Sequence, residues 1–228
     1  MGPNRGLRGM RIIAISDIHR SEAATSAAAA VIGREGPDLT LVAGDISHND
    51  FDEALRLLKI LCGTGVPTFF VPGNMDSPSL SRWRGDSPRN LHGDRVDFKG
   101  YSIVGLGGSV KTPFNTPFEY SELDASAILN GIPSRFESGR LILLSHCPPK
   151  GTVTDMTRFG IHAGSDSVRE FVEKKSPLLV VCGHIHEAEG TDNLGESVIV
   201  NPGPAYHGGY ARINIDGKVE VELAKFKV

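Results

Sequence analysis

Seven side chains of the kinds that hold divalent cations stand in this sequence just past short apolar runs. Asp17 and His19 follow residues 11–16, Asp45 follows 39–43, and Asn74 follows 68–71. His146 comes after 141–144, and His184 with His186 after 178–182. Any one of them reads as an ordinary turn residue or helix cap, but coincidence at the end of run after run is improbable. Imidazole nitrogen, carboxylate and amide oxygen make a mixed donor set that suits borderline ions such as Mn²⁺, Zn²⁺ or Fe. Seven donors exceed one tetrahedral site. Two ions sharing a carboxylate use them all, so the pattern predicts a dinuclear metal centre.

Such donors work only if the chain brings them together. The first half alternates strand-like runs (11–16, 39–43, 68–71) with helical stretches (22–32, 52–61), the pattern of parallel strands joined by right-handed crossovers. In open α/β sheets ligands bind outside the carboxyl ends of the strands, so the seven residues are expected on one rim. Residues 74–90 lack periodicity and read as a long loop of the functional kind. A hairpin of 94–98 with 101–106 turns at Lys99 and Gly100, and a second loop over 107–120 has the Pro and Phe content of a lid or rim. Ser121 and Asp124 form a capping box for a short helix. A helix over 165–175, a buried strand over 178–182 and closing strands over 197–200, 210–215 and 219–223 complete the reading, with Asp216-Gly217 as a hairpin turn. The expected organisation is a single domain over 11–228 behind a short flexible leader, residues 1–10.

The chain has 228 residues, with 24 Lys plus Arg against 27 Asp plus Glu, a formal net charge of -3 and 39% hydrophobic residues. It can bury a sizeable core, which excludes a disordered chain. It has no basic excess to track a nucleic-acid backbone, so sequence-specific DNA binding is not expected. Three cysteines, Cys62, Cys147 and Cys182, are an odd number at wide spacing and read as free thiols in a reducing cytoplasm. No apolar stretch approaches the roughly 18 residues of a membrane span.

In order along the chain, Asp17-Ile18-His19, Gly44-Asp45, Gly73-Asn74, His146 and Gly183-His184-Ile185-His186 resemble the ordered motifs of the calcineurin-like metallophosphoesterase superfamily, within it the branch of small prokaryotic phosphodiesterases. The resemblance runs from Arg11 to about Asn201. It implies an α/β fold, a two-sheet mixed β sandwich flanked by helices (αββα), with two metal ions at the strand ends. By the same resemblance Asp17, His19 and His186 hold one ion, Asn74, His146 and His184 the other, and Asp45 bridges them. Mn²⁺ is the favoured ion, with Zn²⁺, Fe or Ni²⁺ as alternatives. A hydroxide between the ions is the implied nucleophile, and the implied substrate is a phosphate-ester small molecule or nucleotide. The sequence leaves the oligomeric state open.

One position departs from the family pattern. Met75 stands where the superfamily usually has a histidine that protonates the leaving group or clamps the phosphate, and methionine can do neither. That favours a phosphodiesterase over a phosphomonoesterase, the alternative within catalysis. Met75→His is expected to raise monoester activity, with Asp76 free to orient the new imidazole. A catalytically silent scaffold is the alternative outside catalysis, and the intact set of seven donors argues against it.

Outside the motifs, His162 is the candidate catalytic residue. It lies in Gly160-Ile161-His162-Ala163-Gly164-Ser165, before a helix whose N-terminus can hold an anion. His92 and His207 read as turn or surface residues and Cys147 and Cys182 as core, while His48, one turn after Asp45, is left open between a functional and a structural role. Arg82, Arg84 and Arg89 are candidate phosphate clamps, and Trp83 between two of them a candidate base-stacking group. Gly105-Leu106-Gly107-Gly108 is not a nucleotide loop, because Pro113 and Pro117 stand where its helix would start.

Overall fold

The computed structural model describes residues 9–133, 137 and 139–228. The expected strand-helix alternation forms as β1 (Met10–Ile15), α1 (Glu22–Glu35), β2 (Leu39–Ala43), α2 (Phe51–Cys62) and β3 (Thr68–Val71). β1 pairs with β2 and β2 with β3, both in parallel. Ser21 and Asp50 cap α1 and α2 by accepting from the main-chain N–H of Ala24 and Glu53, as N-cap side chains do.

Part of the expected long loop is ordered as a 3-10 turn (Pro78–Arg82) and a two-residue strand, β4 (Arg89–Asn90), which adds in parallel to β3. Two residues carry no periodicity, so the sequence cannot announce such a strand. β5 (Arg95–Phe98) and β6 (Tyr101–Leu106) form the expected hairpin, with Lys99 and Gly100 at positive φ in its turn. The 107–120 loop carries a small parallel pair, β7 (Ser109–Val110) with β8 (Glu119–Tyr120), before α3 (Glu122–Gly131). β9 (Leu141–Ser145), α4 (Asp166–Lys175), β10 (Leu179–Val181), β11 (Gly190–Leu194), β12 (Ser197–Asn201), β13 (Gly209–Asp216) and β14 (Lys218–Lys225) follow.

These strands build two six-stranded mixed sheets, β14-β13-β1-β2-β3-β4 and β11-β12-β10-β9-β6-β5. Between them lies an aliphatic core that includes Ile12, Leu41, Val71, Ile142, Leu144, Val181 and Val200. A second cluster packs α1 and α2 on the outer face of the first sheet, and a third packs α3 and α4 on the second. The central strands are therefore buried on both faces and read as continuous apolar runs. This is the expected αββα sandwich. Met10, expected within the leader, is fully buried as the first residue of β1. Residues 1–8 of the expected leader lie outside the described residues.

Candidate metal centre

All seven predicted donors sit one to five residues past a strand end, and the strands belong to both sheets. Asp17, His19, Asp45 and Asn74 come from the first sheet, His146, His184 and His186 from the second. The chain turns sharply there. Asp17, His19, Asp45 and His184 have φ between 46 and 71°, the left-handed region that costs a non-glycine residue about 1–3 kcal/mol. Contacts between the loops hold them in it: the N–H groups of Asp17, His19 and Arg20 donate to the carbonyls of Gly44, Asp45 and Ile46 at 2.8–3.0 Å. Motif glycines leave the space that the donors fill. A Cβ at Gly73 would lie 2.0 Å from Asp45 Oδ1, and one at Gly183 2.7 Å from Asp17 Oδ2.

One half of the site gathers Asp17, His19, Asp45 and His186, with a ligand atom from each inside 4.8 Å of the others. His19 Nε2 lies 3.0 Å from His186 Nε2 and 3.6 Å from Asp45 Oδ2. Two nitrogens each about 2.0–2.1 Å from one ion are themselves about 3 Å apart. Asp17 Oδ1 is buried with no hydrogen-bond partner and lies 3.4 Å from His186 Nε2.

The other half is more telling, because its proton positions follow from chemistry. The Ala43 carbonyl can only accept, so His146 Nδ1, 2.7 Å away, carries the imidazole proton and Nε2 presents a lone pair. Glu119 accepts from the Thr116 hydroxyl, whose oxygen accepts from Asn74 Nδ2 at 2.9 Å. Asn74 Oδ1 therefore points inward, 2.8 Å from His146 Nε2. Two buried acceptors face each other with no proton between them, an arrangement that repels unless a cation is shared. Asp45 Oδ1 is 3.5 Å from the same Nε2, and the His184 ring centre is 5.0 Å from that of His146. The donors thus fit divalent ions.

Burial pushes His19 down to about 4 and His184 to about 3, and it lowers His146 as well, so these imidazoles are neutral donors at neutral pH. For His186, burial pulls down but Asp17 more than offsets it. Burial also works on Asp17, yet the neighbouring His186, His146 and His19 hold its carboxyl low. Asp45 is raised well above the carboxylate range by burial, then by Asp17 and Asp76. The pocket is short of positive charge.

Several groups around the donors did not announce their roles in the sequence. Asp76 is fully buried, and its carboxylate accepts from the main-chain N–H of Ile46, Ser47 and Gly73 at 2.7–3.1 Å. It ties the loop that carries Asp45 to the loop that carries Asn74. The expectation that Asp76 could orient an imidazole at position 75 is corrected: its oxygens are committed inward. His48 Nε2 lies 2.9 Å from His19 Nδ1, and the Tyr206 hydroxyl 3.1 Å from His186 Nδ1. Asn201, the polar end of β12, donates to the Ile185 carbonyl between His184 and His186. The rule that singled out the other strand ends would have pointed there too.

His162 stands apart from this cluster's hydrogen bonds. Its Nδ1 donates to buried Asp155 at 2.7 Å, and its side chain is 38% exposed. The α4 N-terminus is not open to an external anion, since the Glu122 carboxylate accepts from Ser165 Oγ and from the N–H groups of Asp166 and Ser167. Trp83 is half-buried: its Nε1 donates to the Pro88 carbonyl and its ring meets Phe51 edge-on. Arg84 bonds to the carbonyls of Ser81 and Trp83, and Arg89 pairs with Asp94. His92 is largely buried and accepts from the Gly107 N–H. All three cysteines are unpaired, and burial pushes the Cys147 thiol up to about 12.

Glu119 also fixes the rim. Its carboxylate accepts from both Thr112 and Thr116, through N–H and hydroxyl alike. Burial opposes ionisation, but these hydrogen bonds outweigh it and lower the carboxyl from 4.5 to about 2. A lowered pKa means the stabilisation is complete above about pH 4.5 and is lost as pH falls toward 2. Glu119→Ala is accordingly expected to cost about 1–2 kcal/mol near neutrality. In denaturant unfolding, the gap between wild type and variant should close as pH falls through that window. A gap independent of pH excludes the charged contact.

The fold and this donor set define a metal-dependent hydrolase of phosphoesters. Residues 11–226 match the family model described as metallophosphoesterase, calcineurin superfamily, and the chain belongs to that family. It is 31% identical over 201 residues to an uncharacterized protein of Methanocaldococcus jannaschii, covering 86% of this chain and 88% of that one. To a probable cyclic nucleotide phosphodiesterase of Synechococcus it is 28% identical, over 78% of this chain and 74% of the other. The crystal structure of TT1561 of Thermus thermophilus shares the fold at a TM-score of 0.73 and 20% identity, covering 96% and 99% of the two chains. Among the described residues no helix is long and apolar enough to cross a membrane.

Proposed function

We propose that this protein is a phosphodiesterase that uses two divalent ions, Mn²⁺ first among them, to hydrolyse a small phosphate diester such as a nucleotide. The observation that carries the reading is the facing pair of acceptors, His146 Nε2 and Asn74 Oδ1 at 2.8 Å, beside a second cluster built on His19, His186 and Asp17. Asp17, His19 and His186 would hold one ion, Asn74, His146 and His184 the other, and Asp45 has one oxygen near each half. When bound, such ions would supply Lewis-acid charge to the phosphoryl group and make water more acidic.

The chain's own residues do the rest. His146 is kept as a neutral Nε2 donor by the Ala43 carbonyl, and Asn74 is turned oxygen-inward by Thr116 and Glu119. Met75 supplies neither proton nor charge at the leaving-group side. A diester carries one charge less than a dianionic monoester and asks less of that missing cation. The 28% identical relative described as a probable cyclic nucleotide phosphodiesterase points the same way. His162, oriented by Asp155 with Nε2 free, is the group we propose for proton transfer to the leaving oxygen. The unpaired cysteines are in keeping with action in the cytoplasm.

One assay tests this reading: metal-reconstituted protein on a diester and a monoester with the same alkyl leaving group, side by side. The diester is expected to react faster, and His162→Ala to lower turnover by about 10²-fold with both ions retained. Faster monoester hydrolysis replaces the reading with a phosphomonoesterase, and no turnover of either replaces it with a scaffold. Wild-type rates in His162→Ala leave that residue a packing role on Asp155.

A further inference from the structure

The imidazoles of the two halves are held by different means. In the buried half, His146 has no exposed side-chain surface, and its Nδ1 is fixed by a main-chain carbonyl. In the other half, the His19 and His186 side chains are 14% and 34% exposed. Their Nδ1 atoms meet side chains: His48 Nε2 at 2.9 Å and Tyr206 Oη at 3.1 Å. The Tyr206 ring also lies edge-on to both, with centres 5.3 Å from His19 and 5.4 Å from His186. The main chain holds Tyr206 in place, since its N–H donates to the Asp17 carbonyl and the Ala205 N–H to that of Ser16.

We infer that Tyr206 and His48 are positioning residues for the half built on Asp17, His19 and His186. Each accepts the Nδ1 proton of one imidazole and so turns its Nε2 lone pair toward the common centre. The inference rests on the metal reading above and adds to it: the imidazoles His19 and His186 of the more exposed half are oriented by two removable side chains, whereas His146 in the buried half is oriented by a main-chain carbonyl. Neutral imidazole exists as two tautomers, and a ligand nitrogen must be the unprotonated one. Outer partners that fix this choice are worth about 10 to 100-fold in metal affinity.

The test has a readout in metal-free protein and one in loaded protein. By ¹⁵N NMR of the metal-free protein, at a pH where both imidazoles are neutral, His19 and His186 are expected as Nδ1–H tautomers. Tyr206→Phe should convert His186 to a mixture and leave His146 unchanged. In a Mn²⁺ competition titration, Tyr206→Phe and His48→Ala should each weaken one of the two ions by about 10 to 100-fold. His48→Gln, which keeps an acceptor, should recover most of that loss. His48 is exposed, so its variants report even if Tyr206→Phe unfolds. Unchanged tautomers overturn the inference, as does equal weakening of both ions. Wild-type protein that binds no Mn²⁺ refutes the metal reading instead, while the tautomer measurement still decides the role of the two side chains.

Discussion

Asp45→Asn is expected to release both ions and to lower turnover by about 10³-fold, the scale of several kcal/mol of lost charge stabilisation. Asp45 is the carboxylate with an oxygen in each half, Oδ2 3.6 Å from His19 Nε2 and Oδ1 3.5 Å from His146 Nε2. An amide keeps one oxygen and turns an NH₂ group, which cannot bind a cation, toward the other half. It can still accept from the Met75 N–H, which Asp45 Oδ1 now does at 2.8 Å. Because the wild-type carboxylate is buried beside Asp17 and Asp76, the metal-free variant should unfold at no lower denaturant concentration than metal-free wild type. That separates a lost ligand from a lost fold. Metal analysis checks the assignment, and a variant that keeps two ions at wild-type affinity sinks it. His184→Ala, by contrast, should deplete one ion preferentially.

The largest stability effect is expected at Asp76. Replacing it with alanine strips the acceptor from the N–H groups of Ile46, Ser47 and Gly73 in a fully buried position. A buried donor left unsatisfied costs about 1–3 kcal/mol, and three are left here, with part of the loss offset because Asp45 no longer faces a second carboxyl. The loss extends to metal affinity, since the two tied loops carry Asp45 and Asn74. Asp76→Asn should fall between, because its single oxygen can satisfy only part of the set. Denaturant unfolding of metal-free protein measures the effect, and an alanine variant within 1 kcal/mol of wild type would show that the tie is dispensable. For Met75→His the same geometry matters: a new imidazole gains no partner from Asp76, so the expected rise in monoester activity is small unless a second acceptor is introduced.

How much could be read from the chain alone follows from the range of each interaction. Helix caps such as Ser21, Asp50 and Ser121, and the turn at Lys99 and Gly100, were legible because the atoms that bond are a few residues apart. The seven candidate donors were legible as a set because each follows an apolar run. β4 was not, being too short to have a period, and neither was the inward turn of Asp76, which acts on main-chain groups up to 30 residues away. Tyr206 is an ordinary tyrosine in a Gly-Pro turn until the fold sets its hydroxyl against His186. Trp83, flanked by arginines, resembled a stacking group, yet its indole N–H is taken up by a carbonyl five residues on.

The order and chemical type of the candidate donors, the apolar runs that become buried strands, and the glycines beside those donors are local properties of composition and spacing. That the candidate donors come from two sheets rather than one is a result of how the whole chain packs. The same packing sets His19 against His186 across 167 residues and Asn74 against His146 across 72. Which nitrogen of each imidazole points inward was decided there too, because a tautomer is chosen by whatever meets the opposite nitrogen. For His146 that is the carbonyl of Ala43, 103 residues away. No local pattern encodes such a contact; the packing of the two sheets on their shared aliphatic core creates it.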